Sequence, residues 1–337
     1  MANRFSGAAN VDAASTKPHP LATIGGFLAT NLAWVLSLVI FIVGSTTIKA
    51  FLYPANLRNI LLHSTVVATL AIGTGVCLIT GFFDMAQEAI LILSATVAAW
   101  LCSSSSFASG WMLPVPIAIL ASLALAVALG ALQGICITKL GMVPFITSLS
   151  LRIALLGIVL VILRQGSIAV LPASYRWLGV GQIGPLPAAI IVVLLLYMGI
   201  HWVLISTSLG RSVFAVGGNR QSAKNAGIND ERIILYAFML SGFAAGVAGW
   251  ITAGRLNAAN YQMSVNVTFE VIAASVLGGI SMGGGRGNLL KAVSGVLVMT
   301  LIVNFLNLRH LDPWFVDLAR GILIFTATVL DSRTRRI

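Results

Sequence analysis

The chain has 337 residues, 58% of them hydrophobic and 9% charged, against about 25% charged in a soluble domain, so it is not a soluble globular protein. Its net charge of +11 comes from Lys and Arg spread through short segments between apolar runs, a pattern of membrane orientation rather than of a nucleic-acid surface. Cys77, Cys102 and Cys136 lack CxxC spacing, and His19, His63, His201 and His310 are scattered, which argues against a disulfide framework or a metal centre.

In chain order, residues 1–20 are polar and predict a tail, residues 21–331 a single membrane domain, and residues 332–337 a short basic tail. The first apolar stretch, Leu21 to Ile48, has no clear small-residue cleavage site and reads as a retained helix. Apolar runs predict ten spans near 21–43, 59–80, 86–102, 112–138, 145–163, 187–206, 233–254, 267–282, 289–307 and 314–331, the eighth of them short. From Ala89 to Thr138 there are 50 residues without Asp, Glu, Lys or Arg. As helix that is about 75 Å, more than twice a hydrocarbon core of about 30 Å, so the run crosses at least twice and turns near Ser103–Gly110. The alternation of a membrane barrel is absent, which leaves an all-α polytopic membrane protein. With the N-terminus inside, inner segments hold 12 Lys and Arg and outer segments 6, which predicts both termini inside.

Two connections exceed a tight turn: Arg164–Pro187 on the expected outside and Ser206–Arg232 on the expected inside. In the second, taken as a loop over 207–232, Asn219 can cap a short helix through Ala226 and Gly227 can end it in a left-handed conformation. The segment is then either a solvated basic loop or a docking element for a partner on that side. Gly242 and Gly246 form a GxxxG pair suited to close helix approach, and Gly283 to Gly287 suit a tight turn. Arg152 lies at membrane depth, where a charge costs roughly 2.5–3.5 kcal/mol on insertion scales, so it should face protein or water. Asp84 and Glu88, four apart, are expected on one helical face.

The run Gly217-Gly218-Asn219, then Ala223, Gly227 and Ile228, followed by Leu240-Ser241-Gly242 through Gly249 and by Gly278-Gly279-Ile280-Ser281 through Gly287, resembles the permease subunits of ribose-, xylose- and galactose-type ABC importers. Pro144-Phe145-Ile146 with Arg152 is similar to that family's opening of its fifth span, and Thr80 to Glu88 stands where the family has Gly-Gly-Ile-Asp-Leu-Ser-Val-Gly, with Phe82, Ala86 and Glu88 as departures. The resemblance covers Asn56 to Leu330. It implies an importer permease with an ATPase-coupling segment at Gly217, Gly218, Asn219, Ala223, Gly227 and Ile228, and packing or turn glycines at Gly242, Gly246, Gly278, Gly279, Gly284 and Gly287. The implied setting is the bacterial inner membrane, and the cargo a monosaccharide or related polyol. The implied partners are cytoplasmic ATPase subunits that bind ATP and Mg, a soluble solute-binding protein, and a second permease copy or paralogue; no cofactor is expected in this chain.

No GxxxxGK[ST] occurs, so the phosphate-cradling loop of an ATPase is expected on another chain. Phe82, Phe83, Asp84, Glu88, Phe145 and Arg152 are the candidate lining of the translocation path. The bland alternative has Asp84 capping the third span and Glu88 holding a neighbouring helix. A self-contained secondary transporter using Asp84, Glu88 and Arg152 is the rival function. A membrane enzyme has little to build on, since HExxH and GxSxG are absent.

Overall fold

The structure, a computed structural model, describes residues 31–103, 112–164 and 166–334. The expected N-terminal tail, the start of the first span, most of the turn at Ser103–Gly110 and residues 335–337 lie outside the described residues.

Helices occupy each of the ten expected positions. They are α1 Leu32–Thr47, α2 Pro54–Ile79, α3 Gln87–Cys102, α4 Val115–Thr138, α5 Pro144–Leu163, α7 Ala188–Ser206, α10 Asp230–Leu256, α11 Val267–Leu277, α12 Leu289–Leu308 and α13 Pro313–Thr334. Between them lie the short helices α6 Ala173–Val180, α8 Ser208–Gly218 and α9 Arg220–Asn225. Among the described residues six helices, α2, α4, α5, α7, α10 and α12, are long and apolar enough to cross a membrane. The chain is thus an all-α, multi-pass membrane protein. As expected, the eighth predicted span is short: α11 has 11 residues, about 16 Å, and residues 278–288 continue without regular structure.

Local sequence accounts for the helix limits. Pro54 and Pro144 open α2 and α5, where the missing N–H costs nothing. Asn257 ends α10 in a left-handed conformation with φ 55°, and its side-chain oxygen accepts from Leu171 N–H at 3.0 Å.

α2 and α10 are mostly buried and form the axis of the bundle, while α4, α5 and α7 bury only about a quarter of their residues, as helices facing lipid or another subunit do. α10 packs on α2, α3 and α4, and α12 packs on α2 and α11. The connection 164–187, read from sequence only as a long loop, carries more structure than that. It contributes β1 Ser167–Ala169, paired antiparallel with β4 Ala258–Asn260 so that Ile168 faces Ala259, and the hairpin β2 Gln182–Ile183 with β3 Leu186–Pro187. Between the two stands α6, whose Tyr175 is fully buried and whose Tyr175 carbonyl accepts from Trp250 Nε1–H at 2.9 Å. A buried aromatic and a paired backbone thereby tie this cap to the end of α10.

Candidate functional site

The 207–232 segment folds as its capping residues dictate. Thr207 caps α8 by accepting from Gly210 N–H at 3.2 Å, Asn219 caps α9 by accepting from Ser222 N–H at 2.9 Å, and Asn229 caps α10 by accepting from Arg232 N–H at 3.0 Å. Gly227, at φ +82°, stops α9 in the left-handed region, and Ile228 N–H reaches back to the Ala223 carbonyl at 3.0 Å. Ala223 is buried, whereas Arg220, Gln221, Ser222, Lys224 and Asn225 are exposed, so α9 lays one small residue on the protein and offers a basic, polar face outward. Arg220 Nε donates to Asp230 Oδ2 at 2.5 Å and fixes the short helix to the start of α10.

Behind this helix three segments meet through glycines. Gly285 N–H donates to the Ile79 carbonyl at 2.8 Å, joining the 278–288 turn to the end of α2. A β-carbon on Gly217 would fall on that same Ile79 oxygen, and one on Gly284 would stand 2.7 Å from the Gly217 carbonyl and 2.9 Å from Gly81 Cα. A β-carbon on Gly285 would lie 2.6 Å from Gly218 Cα. Contacts this short admit no side chain, so α8, the end of α2 and the 278–288 turn touch backbone to backbone. Gly217 and Gly284, assigned from sequence to separate tasks, belong to one joint.

The remaining glycines pack helices. Gly242 approaches the Ala126 carbonyl of α4, and a β-carbon on Gly246 would sit 2.9 Å from Ala126 Cβ and from Leu123 Cδ2. Gly130 and Gly134 on α4 make the reciprocal approach to α10, a partnership the sequence reading missed because it followed one helix at a time. Gly278 abuts Ala292 of α12, and Gly279 takes φ +89° and Gly287 φ +156° in the turn.

The two acidic groups do not share a helical face. α3 begins at Gln87, so Asp84 lies in the non-helical stretch before it, and the expected i,i+4 pairing with Glu88 does not form. Asp84 is fully buried, with Oδ1 accepting from Ala86 N–H at 2.9 Å and Gln133 Nε2 at 3.0 Å, and Oδ2 accepting from the Ser241 hydroxyl at 2.6 Å. Gln87 Nε2 donates to the Leu70 carbonyl at 3.0 Å and Ser241 Oγ at 3.1 Å, and Thr74 donates to Gln87 Oε1 at 2.6 Å. This network knits α2, α3, α4 and α10, as buried polar groups require. Glu88 instead accepts from Arg152 Nη2 at 2.9 Å, an ion pair between α3 and α5. Phe82 and Phe83 pack on the core, Phe82 edge-on to Phe238 with ring centroids 6.3 Å apart, while Phe145 at the start of α5 is half exposed. The six residues read as one path lining fall into separate settings: Glu88 pairs with Arg152 of α5, and Asp84 bridges α4 and α10 without capping α3, whose N-cap is Ala86.

A further polar cluster, which the sequence reading did not single out, sits toward the opposite end. Glu270 of α11 accepts from Arg320 Nη2 of α13 at 3.1 Å, Arg320 Nη1 donates to Asp317 Oδ1 at 2.9 Å, and His63 Nδ1 of α2 stands 3.8 Å from Glu270 Oε1. The signal was present, since the predicted spans 267–282 and 314–331 carry charges of opposite sign at Glu270 and Arg320.

The multi-pass bundle, its short capped helix on one end and the discontinuous α11 define a membrane permease component. The chain belongs to the family described as "Branched-chain amino acid transport system / permease component", which matches residues 56–328. Among its relatives, the ribose import permease protein of Bacillus subtilis (strain 168) is 32% identical over 88% of this chain and 90% of its own length. The ribose import permease protein of Escherichia coli (strain K12) is 27% identical over 92% of this chain and 98% of its own, and the D-allose transport system permease protein of the same strain 29% over 88% and 90%. No solved structure matches the chain. The family description and the relatives' names point to different cargoes, so membership by itself fixes the transport role and not the solute.

Proposed function

We propose that this chain is the membrane-spanning half of an ATP-driven importer for a small polyhydroxylated solute of the monosaccharide class, in the bacterial inner membrane with both termini cytoplasmic. The observation that carries the reading is the 207–232 segment, a short capped helix with an exposed basic face, backed by a glycine joint that reaches two other parts of the bundle. Similarity to ribose and allose import permeases over about nine-tenths of the chain favours the sugar class.

In this reading cytoplasmic ATPase subunits, which bind ATP and Mg, press on α9. Because Gly217 abuts Ile79 and Gly284, a displacement of α8 is passed directly to the end of α2 and to the 278–288 turn, without a flexible side chain to absorb it. Gly217, Gly218, Asn219, Ala223, Gly227 and Ile228 form the coupling element. A second permease copy or paralogue completes the route, and a soluble binding protein delivers the solute from outside. The ribose relatives are named as import permeases, which favours the importer over a self-contained secondary transporter; Asp84 is bonded to Gln133 and Ser241, and Glu88 is paired with Arg152.

The test is uptake of labelled D-ribose, D-allose and D-galactose into proteoliposomes containing this chain with the ATPase and binding protein encoded beside it. Uptake of one sugar that requires both partners and internal ATP is the expected result. Uptake without the ATPase subunit, or of none of the three sugars with the assembly intact, overturns the proposal.

A further inference from the structure

Glu270 is 1% exposed, and one of its carboxylate oxygens, Oε2, is held by Arg320 at 3.1 Å. The other, Oε1, has no hydrogen-bond donor among the described residues. Facing it at 3.8 Å is His63 Nδ1, an atom closed to solvent and without a hydrogen bond on a side chain 29% exposed, and the gap is too long for a direct hydrogen bond. Arg255, at the end of α10, and Arg320 both act electrostatically on His63, and Arg255 Nη1 and Arg320 Nε are also buried without acceptors. Such a concentration of unsatisfied donors and acceptors is costly in an apolar setting, by the full desolvation of each group, unless something polar enters to meet them.

The charges decide what can enter. Glu270 is already paired with Arg320, so a solute bearing a net charge gains little here. A hydroxyl both donates and accepts, the two roles that Glu270 Oε1 and His63 Nδ1 leave unfilled; both atoms are closed to water in this state, so it would enter as the surrounding helices part. Depth fits a waypoint inside the bundle rather than a surface patch. His63 lies nine residues after Pro54 in α2, about 14 Å from that end. Glu270 sits in the first turn of α11, a helix too short to span, and interrupted helices of this kind line polar cavities in transporters. At its other end α11 runs through Gly278 into the turn that abuts Gly217.

We propose that Glu270, His63 and Arg320 form a hydroxyl-binding station for the solute in the half of the membrane remote from the 207–232 segment, and that α11 links this station to the coupling joint. The inference rests on the importer reading above. It adds the place where the cargo is recognised within this chain. A neutral polyol is held by hydrogen bonds to its hydroxyls, and Arg320 orients the Glu270 carboxylate that accepts them.

The experiment uses the complete transporter in proteoliposomes and compares uptake of the best of D-ribose, D-allose and D-galactose with that of its monodeoxy analogues, in wild type, Glu270→Gln and His63→Phe. The binding protein is common to all three preparations, so its own preference cancels between them. The expected result is that at least one analogue is disfavoured by wild type, and that both variants lower this discrimination by tenfold or more while raising KM for the parent sugar. If both variants slow the sugar and its analogues by the same factor, the cluster is only a structural clamp and the proposal is overturned. Should Glu270→Gln fail to insert, His63→Phe gives the same ratio alone. Wild type that carries none of the three sugars overturns the importer reading itself, a result distinct from unchanged discrimination by a working transporter.

Discussion

Removing either half of the Glu88–Arg152 pair should destabilise the bundle more than removing both. Glu88 is 1% exposed and the Arg152 side chain 19%, so neither charge is rescued by bulk water once its partner is gone. An uncompensated buried charge of this kind costs about 3–5 kcal/mol, whereas replacing a buried pair by apolar residues of similar volume is often neutral. Glu88→Leu and Arg152→Leu should each lower the apparent melting temperature of detergent-purified protein, on the order of 10 °C. The double variant should recover most of that loss, and a double-mutant cycle should return a coupling of about 2–4 kcal/mol. Fluorescence-detected thermal unfolding on the four proteins gives the cycle directly. If the double variant loses as much as the two single losses combined, the two side chains do not act as a pair and the reading of α3 against α5 is wrong.

Gly217→Ala should leave the protein inserted but cut the stimulation of ATPase activity by solute-loaded binding protein at least fivefold, since a methyl group there meets the Ile79 carbonyl; normal stimulation would dissolve the joint as a mechanical element. Ala223→Glu and Gly227→Pro should uncouple ATP hydrolysis from uptake, one by forcing charge into a buried contact and the other by placing proline at φ +82°, and retention of both activities would reduce the loop to a connection. Asp84→Asn should cost about 1–3 kcal/mol in detergent stability, because an amide that donates cannot accept from Ala86, Gln133 and Ser241 together; an unchanged melting temperature would count against the network. In a cysteine-free background, a cysteine at 225 should label from the cytoplasm and one at 182 from outside, and the reverse would invert the orientation.

The helices were legible in the sequence because each is an apolar run bounded by Pro, Gly or charge; the eighth was expected to be short, although it was drawn to 282 and α11 stops at Leu277, before Gly278 and Gly279. The caps Asn219 and Asn229 and the stop at Gly227 act through neighbours within a few residues, so local reading reaches them. Asp84 and Glu88 were harder: spacing of four places residues on one face only if the backbone is helical between them, and α3 starts three residues too late. The Ser241, Gln133 and Gln87 network, the meeting of Gly217 with Gly284, and the facing of His63 with Glu270 all join residues more than forty positions apart or on separate helices. Such pairings depend on how helices pack, which periodicity along one segment does not encode.

The glycine joint also separates two properties that a coupling segment must combine. Its rigidity is written in backbone contacts among Gly217, Gly284, Gly285 and Ile79, while the chemistry it presents outward is written in the exposed Gln221, Lys224 and Asn225. Partner choice is therefore open to revision without loosening the hinge. Exchanging these three exposed side chains for those of another importer should redirect which ATPase is recruited, while the Arg220–Asp230 pair and the glycine contacts stay unaltered.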